Sequence, residues 1–374
     1  MYSSLKCHCQ REFTLWILCF DDQTYGVLAK MGLPQMRLIS LAQFEKGDEQ
    51  LLAAKRSRSL VEYYWTCTPS LPLYLLKHFQ DIESITYIDA DVYFYSDPAP
   101  LFDELGEGSV LIMEHRYAPK YEAWTQVSGI FNVEYLTFRR DKYALECLNW
   151  WRDRCNEWCY ARHEAGKYGD QKYLDDWPQR FKGIVVSRHP GAGLAPWNAE
   201  QFRFTSRNGH PYIADDPVIF HHFHGLKLIG SMAALSNPTY CYPVSLLKNL
   251  YFAYFCALHG AETSCRREGA IIQGSPAIPL AKLLHGLVCE GWLLTRYPLI
   301  ACVFWKWAQK RRSDMELLDA GYRAFEIGER RQARCLLMRA LCRNPRFVVK
   351  PGVLAILVKS FSALAACFIF CGLL

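Results

Sequence analysis

Ile85-Thr86-Tyr87-Ile88-Asp89-Ala90-Asp91-Val92-Tyr93-Phe94-Tyr95-Ser96-Asp97-Pro98 is an apolar run that carries two carboxylates, one residue apart, to its own end. It reads as a buried strand with a charged terminus, closed by the turn chemistry of Ser96-Asp97-Pro98. Period-two alternation predicts that Asp89 and Asp91 lie on the same side of an extended backbone, where two hard oxygen ligands can share a divalent cation and a diphosphate. Burying such a pair without a cation is costly. An isolated Asp-x-Asp usually marks a solvated turn, but this one interrupts a hydrophobic run.

The rest of the chain bounds what such a site can serve. Its 374 residues suffice for one large domain or two. Half of it is hydrophobic and 14% aromatic, which excludes disorder. The net charge of +6 is concentrated: residues 306–350 hold twelve Lys or Arg against five Asp or Glu. One basic end is not the pattern of a nucleic-acid-binding surface, and no nucleic-acid partner is expected. The 16 cysteines are scattered without a Cys-x-x-Cys pair, and no signal peptide is apparent ahead of the apolar run Phe13–Phe20, so a cytoplasmic location with free thiols is expected. Cys7-His8-Cys9 is a poor zinc site, since alternate residues do not readily fill three corners of one tetrahedron.

Tyr87-Ile88-Asp89-Ala90-Asp91 resembles the Asp-x-Asp signature of the GT-A nucleotide-sugar glycosyltransferases, especially the glycogenin and lipopolysaccharide galactosyltransferase group. In that family the two carboxylates hold Mn2+ or Mg2+ against the donor diphosphate, and the metal neutralises the leaving nucleotide. Other blocks follow in the family's order. Phe13–Phe20 reads as a first buried strand of a parallel sheet, and Asp21, Asp22 and Tyr25 at its end resemble the corner that binds the nucleotide base; a helix N-cap with a stacked Tyr is the competing meaning. Met36–Leu41 suits a second strand and Asp48–Ser57 a helix. Within Lys55-Arg56-Ser57-Arg58, the resemblance assigns Arg58 to the nucleotide or donor sugar, whereas a charge run by itself is a solvated helix face. Leu71–Phe79 continues as an apolar helix that feeds the Asp-x-Asp strand.

Gly108–Glu114 is a further expected strand. Val127-Ser128-Gly129-Ile130-Phe131-Asn132-Val133 resembles the family's small-residue strand, which implies that Ser128, Gly129 and Asn132 approach the donor sugar; a bulged core strand is the alternative for Gly129. Asp141–His163 is a long helix whose Trp150, Trp151 and Trp158 suit packing. Gly169-Asp170-Gln171 resembles the family's Asp-Gln dipeptide at a helix start. On that resemblance Asp170 binds donor hydroxyls and Gln171 lies near the anomeric carbon, while capping is the other reading of Asp170. Gly183–Ser187 is a short strand, and His189–Asn198, rich in Gly and Pro, is a loop expected near the acceptor. Val218–Lys227 carries three histidines to its end and resembles the terminal His-x-x-Gly…Lys element. The resemblance makes His222 the third metal ligand and Lys227 a diphosphate contact, although no Lys-Pro-Trp follows Lys227.

The expected organisation is an α/β GT-A domain over 1–244, a Rossmann-like mixed sheet with helices on both faces. A helical extension over 245–350 contains one tetratricopeptide-like unit at 317–345, and a hydrophobic tail occupies 351–374. Ser245–Leu258 is an expected helix, and the apolar run at 280–307 is broken at Gly291 and Pro298. The basic stretch followed by an apolar tail suggests a monotopic contact with the inner membrane surface. The implied activity is transfer of a sugar, with UDP-sugar favoured, to a glycan or lipid-linked acceptor in cell-surface polysaccharide synthesis. Retention of configuration is implied by the resemblance alone, and no general base for inversion stands out. Sugar nucleotidyltransferases need a Gly-rich loop where Phe20-Asp21-Asp22-Gln23 stands, and haloacid-dehalogenase phosphatases need Thr or Val where Tyr93 stands. A degenerate enzyme fold acting as a docking scaffold is the rival from another class, and the intact Asp89, Asp91 and His222 argue against it.

Overall fold

The computed structural model describes residues 1–229, 232–235, 240–272, 332–333 and 336–339, with 227–229 and 232–235 described by their backbone alone. The chain divides into two compact units, one formed by residues 1–225 and 239–272, the other by 226–238 and 273–374.

In the first unit, α1 (Tyr2–His8) precedes β1 (Leu15–Cys19), α2 (Asp22–Met31), β2 (Met36–Ser40), α3 (Leu41–Glu45) and α4 (Glu49–Lys55). β1 and β2 pair in parallel, as the run Phe13–Phe20 predicts. Then comes α5 (Leu60–His78), a single helix that absorbs both Pro69 and Pro72. Its start is fixed by a reciprocal capping box in which the Ser59 side chain accepts from the Glu62 N–H and the Glu62 carboxylate accepts from the Ser59 N–H.

β3 (Ser84–Ile88) and β4 (Val92–Phe94) are separate strands. The expected unbroken strand through Asp89 and Asp91 is therefore corrected. Asp89-Ala90-Asp91 is a turn, closed by the Val92 N–H to the Asp89 carbonyl at 3.2 Å. The chain turns because β3 and β4 have different partners: β3 lies against the inner strand of the central sheet, while β4 pairs with a strand more than a hundred residues away.

α6 (Ala99–Leu105), β5 (Val110–Glu114), a 3-10 turn at Pro119–Trp124 and α7 (Thr125–Ser128) lead to β6 (Phe131–Arg139). The expected small-residue strand thus begins only at Phe131, with Val127 and Ser128 in the preceding helical turn. α8 (Lys142–Glu157) is capped by Asp141, whose carboxylate accepts from the N–H groups of Tyr143 and Ala144. A 3-10 helix at Gln171–Asp176, α9 (Trp177–Arg180) and β7 (Ile184–Val186) follow. β3, β6, β5 and β7 form one sheet in that order, antiparallel except for the β5–β7 pair.

β5 is apolar at every position from Val110 to Met113 because both faces of the sheet are covered. Val110 and Ile112 face one core with Leu148, Trp151 and Trp177, while Leu111 and Met113 face another with Phe94, Leu101 and Phe220. Helices therefore lie on both faces, and the chain is a mixed α/β structure. Trp151 and Trp177, both fully buried, meet edge to face with centroids 5.3 Å apart. Each contributes on the order of 2–3 kcal/mol by burial alone.

β8 (Phe204–Arg207), β9 (His210–Ile213) and β10 (Asp216–Pro217) make a small antiparallel sheet. β11 (Phe220–His222) then returns to pair antiparallel with β4, placing His222 opposite Val92. α10 (Val244–Leu246), a π turn at Leu247–Tyr251 and α11 (Phe252–Arg267) complete the unit, with Tyr254 stacked on Phe223 at 3.7 Å.

The second unit is described only in part. Leu226–Ile229 and Met232–Leu235 pair antiparallel, and Ala333 and Leu337, one helical turn apart, are both buried in helical backbone. The apolar run at 280–307, most of the tetratricopeptide-like positions and basic stretch, and the tail at 351–374 lie outside the described residues. Among the described residues, no helix is long and apolar enough to cross a membrane, and the ten cysteines there are all free thiols.

Candidate metal centre and active site

The β3–β4 turn and the end of β11 bring three side chains to one point. One ligand atom each from Asp89, Asp91 and His222 lies within 4.8 Å of the others. His222 Nε2 stands 3.0 Å from Asp91 Oδ1 and 3.7 Å from Asp89 Oδ2. Main-chain bonds fix this crossing: the Asp89 N–H donates to the Glu134 carbonyl at 3.1 Å, and the Phe223 N–H to the Asp91 carbonyl at 2.9 Å. On the far side, the His222 N–H donates to the Leu194 carbonyl at 2.8 Å, so the Gly-rich loop backs the strand that carries the histidine.

Burial pushes the Asp89 carboxyl up to about 6, with the His222 charge opposing and the Asp91 charge adding to the rise. Asp91, more exposed than Asp89, is also raised by burial, but His222 outweighs this and holds Asp91 down to about 2. Burial works against a charge on His222, and Asp91 and Glu134 overcome it, so its pKa stands well above the usual histidine value. The metal-free cluster thus keeps a proton on the imidazole between carboxylates. Two carboxylate oxygens and one imidazole nitrogen suit a divalent cation such as Mn2+ or Mg2+, and the residues present fit that ion.

Two further residues that the sequence reading did not single out shape the cluster. Glu134, in the middle of β6 and without solvent exposure, accepts from His222 Nδ1 at 2.8 Å. The Tyr87 hydroxyl donates to Asp89 Oδ1 at 2.8 Å. A lone carboxylate inside Phe131-Asn132-Val133-Glu134-Tyr135-Leu136, where Asn132 is the one other polar residue, was the available signal, because a buried acid needs a partner.

The other expected site residues divide into groups. Asp170 is 3% exposed at the N-cap position of the 3-10 helix, yet its side chain makes no capping bond and its Oδ2 is buried without a partner. Burial, assisted by the nearby Asp89 charge and opposed by Thr68, raises it to about 7. Gln171 donates from Nε2 to the Ser128 carbonyl at 2.7 Å, which joins those two positions. Gly129 has φ +101°, and a Cβ there would lie 2.8 Å from the Asp175 carboxylate, so local packing already requires glycine. Asn132 is buried and committed within the protein: Oδ1 accepts from the Glu134 N–H at 2.7 Å and Nδ2 lies 3.1 Å from His115 Nε2. Burial lowers His115 to about 3, leaving a neutral ring stacked on Tyr117.

Asp21 caps α2, accepting from the Thr24 N–H at 2.6 Å and the Thr24 hydroxyl at 2.7 Å. Asp22 and the exposed Tyr25 lie in the first turns of the same helix. Arg58 donates to the Asn156 carbonyl at 3.2 Å, and its guanidinium lies 3.9 Å from the centre of the Tyr160 ring. Lys227 falls in the strand Leu226–Ile229, and its side chain lies outside the described residues.

A mixed α/β fold with an Asp–Asp–His cluster at a strand crossing defines the class of this protein. The chain belongs to the family of the uncharacterized Bacillus subtilis (strain 168) proteins YfnD and YfnF. It is 34% identical to YfnD over 231 residues, 61% of this chain and 73% of that protein. With YfnF it shares 33% over 236 residues, 61% of this chain and 77% of that protein. No family model matches the chain. Among solved structures, mouse xyloside xylosyltransferase 1 in its apo form covers 60% of this chain and 89% of its own, with a TM-score of 0.37 and 11% identity, too distant a likeness to bear on the site.

Proposed function

We propose that this protein is a metal-dependent glycosyltransferase that moves a sugar from a nucleotide-diphosphate sugar, UDP-linked in the first instance, to a glycan or lipid-linked acceptor in cell-surface polysaccharide synthesis. The observation that carries this reading is the convergence of Asp89, Asp91 and His222 on one point from segments far apart in sequence. The block order from Asp21 to Lys227, which resembles that of GT-A glycosyltransferases, supports it. A bound cation would be held by Asp89, Asp91 and His222 and would supply positive charge to the leaving nucleotide diphosphate.

The chain's own residues do the rest in this reading. Asp170 offers a buried, unpartnered carboxyl oxygen to a donor-sugar hydroxyl. Gln171 and Ser128, already bonded to each other, shape the adjoining wall with Gly129, and Asn132 sets that wall from behind through His115. Asp21, Asp22 and Tyr25 at the start of α2, with Arg58, are assigned to the nucleotide. Lys227 is assigned to the diphosphate.

The test is hydrolysis of UDP-, GDP- and CDP-sugars by the purified protein, with and without Mn2+ or Mg2+. Metal-dependent release of nucleotide that disappears in Asp91→Asn supports the reading. Failure of every donor to bind or react in the presence of either metal overturns it. The cytoplasmic, membrane-surface location proposed from the basic stretch and apolar tail is tested separately by flotation with anionic vesicles. Full-length protein that stays unbound at low salt refutes it.

A further inference from the structure

Glu134 is an unusual residue to find where it is. It occupies the centre of a nine-residue inner strand whose neighbours Val133, Tyr135 and Leu136 are all buried, and its own exposure is 0%. A carboxylate in that position is destabilising unless something returns the lost hydration. Its Oε2 accepts from His222 Nδ1 at 2.8 Å, while Oε1 is buried with no hydrogen-bond partner. A second positive group, Arg116, stands nearby: its guanidinium donates to the Ala192 carbonyl, and its charge and that of Glu134 favour each other. Gly193 stands at φ +62°, and a Cβ there would lie 3.1 Å from the Arg116 guanidinium and 3.5 Å from Glu134 Oε1. The loop is therefore built to admit this acid and its counterion behind the histidine.

An ionised carboxylate can only accept a hydrogen bond. Placed on Nδ1, it fixes the proton of a neutral His222 there and leaves the Nε2 lone pair facing Asp89 and Asp91. Trp197 packs edge to face against the His222 ring, with centroids 5.4 Å apart, and supports that orientation. A negative partner also makes the imidazole a stronger donor. That matters unequally between metals: imidazole adds more to binding of a transition ion such as Mn2+ than to the hard, oxygen-seeking Mg2+ or Ca2+.

We propose that Glu134 is a positioning residue that holds His222 with Nε2 toward the Asp89–Asp91 pair and thereby biases the site toward Mn2+ over Mg2+ and Ca2+. This rests on the metal-site reading above, and the experiment separates the two. Binding of Mn2+ is measured by electron paramagnetic resonance, and Mg2+ and Ca2+ by competition, on the full chain and on Glu134→Gln and Glu134→Leu, with thermal melts of each in EDTA. Glutamine keeps the size but can donate as well as accept, so the tautomer is no longer fixed; leucine removes the bond and the charge together.

The expected result is a loss of Mn2+ affinity on the order of 10- to 100-fold in either variant. Mg2+ and Ca2+ should weaken far less, so that the Mn2+/Mg2+ preference falls. In a His222→Gln background, adding Glu134→Gln should change Mn2+ binding little further. Equal weakening of all three ions, or an unchanged Mn2+ affinity in a folded Glu134→Gln protein, would overturn the role of Glu134 while leaving the metal site standing. Absence of any divalent-ion binding in the wild-type chain would instead overturn the metal site itself. Should both Glu134 variants fail to fold, Arg116→Gln, which leaves the Glu134–His222 bond in place, must retain the Mn2+/Mg2+ preference, and its loss would count against the proposal.

Discussion

His222 Nδ1 lies 2.8 Å from the carboxylate of Glu134, a residue without solvent exposure on the inner strand of the central sheet. One consequence concerns stability. His222→Ala removes the hydrogen-bond partner of the buried Glu134 Oε2 and leaves Arg116 alone to balance its charge, which costs roughly 1–3 kcal/mol as an unsatisfied buried acceptor. Asp91 is a different matter, since its side chain is 43% exposed. Urea unfolding in EDTA at neutral pH should therefore show a clearly lower midpoint for His222→Ala and a smaller fall for Asp91→Asn, which removes one of the two carboxylates that support the His222 charge. Matching midpoints would mean that Glu134 finds another partner.

Metal binding should order the same two variants the other way. Asp91 supplies a charged ligand and His222 a neutral one that water can replace, so Asp91→Asn is expected to abolish donor turnover and His222→Ala to leave a residue of it at saturating Mn2+. Steady-state release of nucleotide across a Mn2+ titration checks this. Recovery of Asp91→Asn at high Mn2+ with no recovery of His222→Ala would contradict the assignment.

Asp170 gives a prediction in pH. Its folded pKa of about 7 stands above the ordinary carboxylate value, so its contribution to stability is complete at acid pH and is lost as pH rises toward 7. Asp170→Asn removes that titration. In EDTA, the variant should melt higher than the wild type at pH 8, by up to roughly 4 kcal/mol at full ionisation, and the difference should vanish near pH 4. The same variant should lose most of its kcat/KM while binding free nucleotide diphosphate normally. A melting difference that does not change with pH would remove the buried-carboxyl explanation.

Gly129 offers a choice between local packing and ligand approach. A Cβ there meets the Asp175 carboxylate at 2.8 Å, and that carboxylate accepts from the Ile130 N–H at 2.7 Å. Gly129→Ala should lower stability by about 1–3 kcal/mol without any ligand, through left-handed strain together with the clash. Thermal melts of the ligand-free protein decide it. An unperturbed melt with impaired donor binding would return the glycine to the sugar pocket alone.

The start of α5 tests a bond that reaches across the fold. Ser59→Ala removes one cap and should cost about 1 kcal/mol. Glu62→Ala should cost more, because its Oε1 also accepts from the Ala161 N–H at 2.8 Å and so ties the helix to the loop ahead of Asp170. Chemical denaturation of both variants, with amide exchange at Ala161, would expose the difference.

What the sequence determined by itself was set by local pattern. The apolar runs at Leu15–Cys19 and Val110–Glu114, the helices that start at Asp48 and Asp141, and the Asp-x-Asp stretch all announce themselves within a few residues, because periodicity and turn chemistry are short-range. The names of the three clustered ligands were legible too, Asp89 and Asp91 from their place at the end of an apolar run and His222 through its resemblance to a terminal histidine element. Only the tertiary structure decided the rest. Asp89 and Asp91 turned out to lie on a turn, because Val92–Phe94 leaves the path of Ser84–Ile88 to pair with Phe220–His222. Glu134 became part of the site only through that long-range pairing, which sets its carboxylate behind His222 across 88 residues of chain. Asp170 likewise proved a buried acid without a capping bond, since burial depends on what packs over a residue and no spacing in the chain records it.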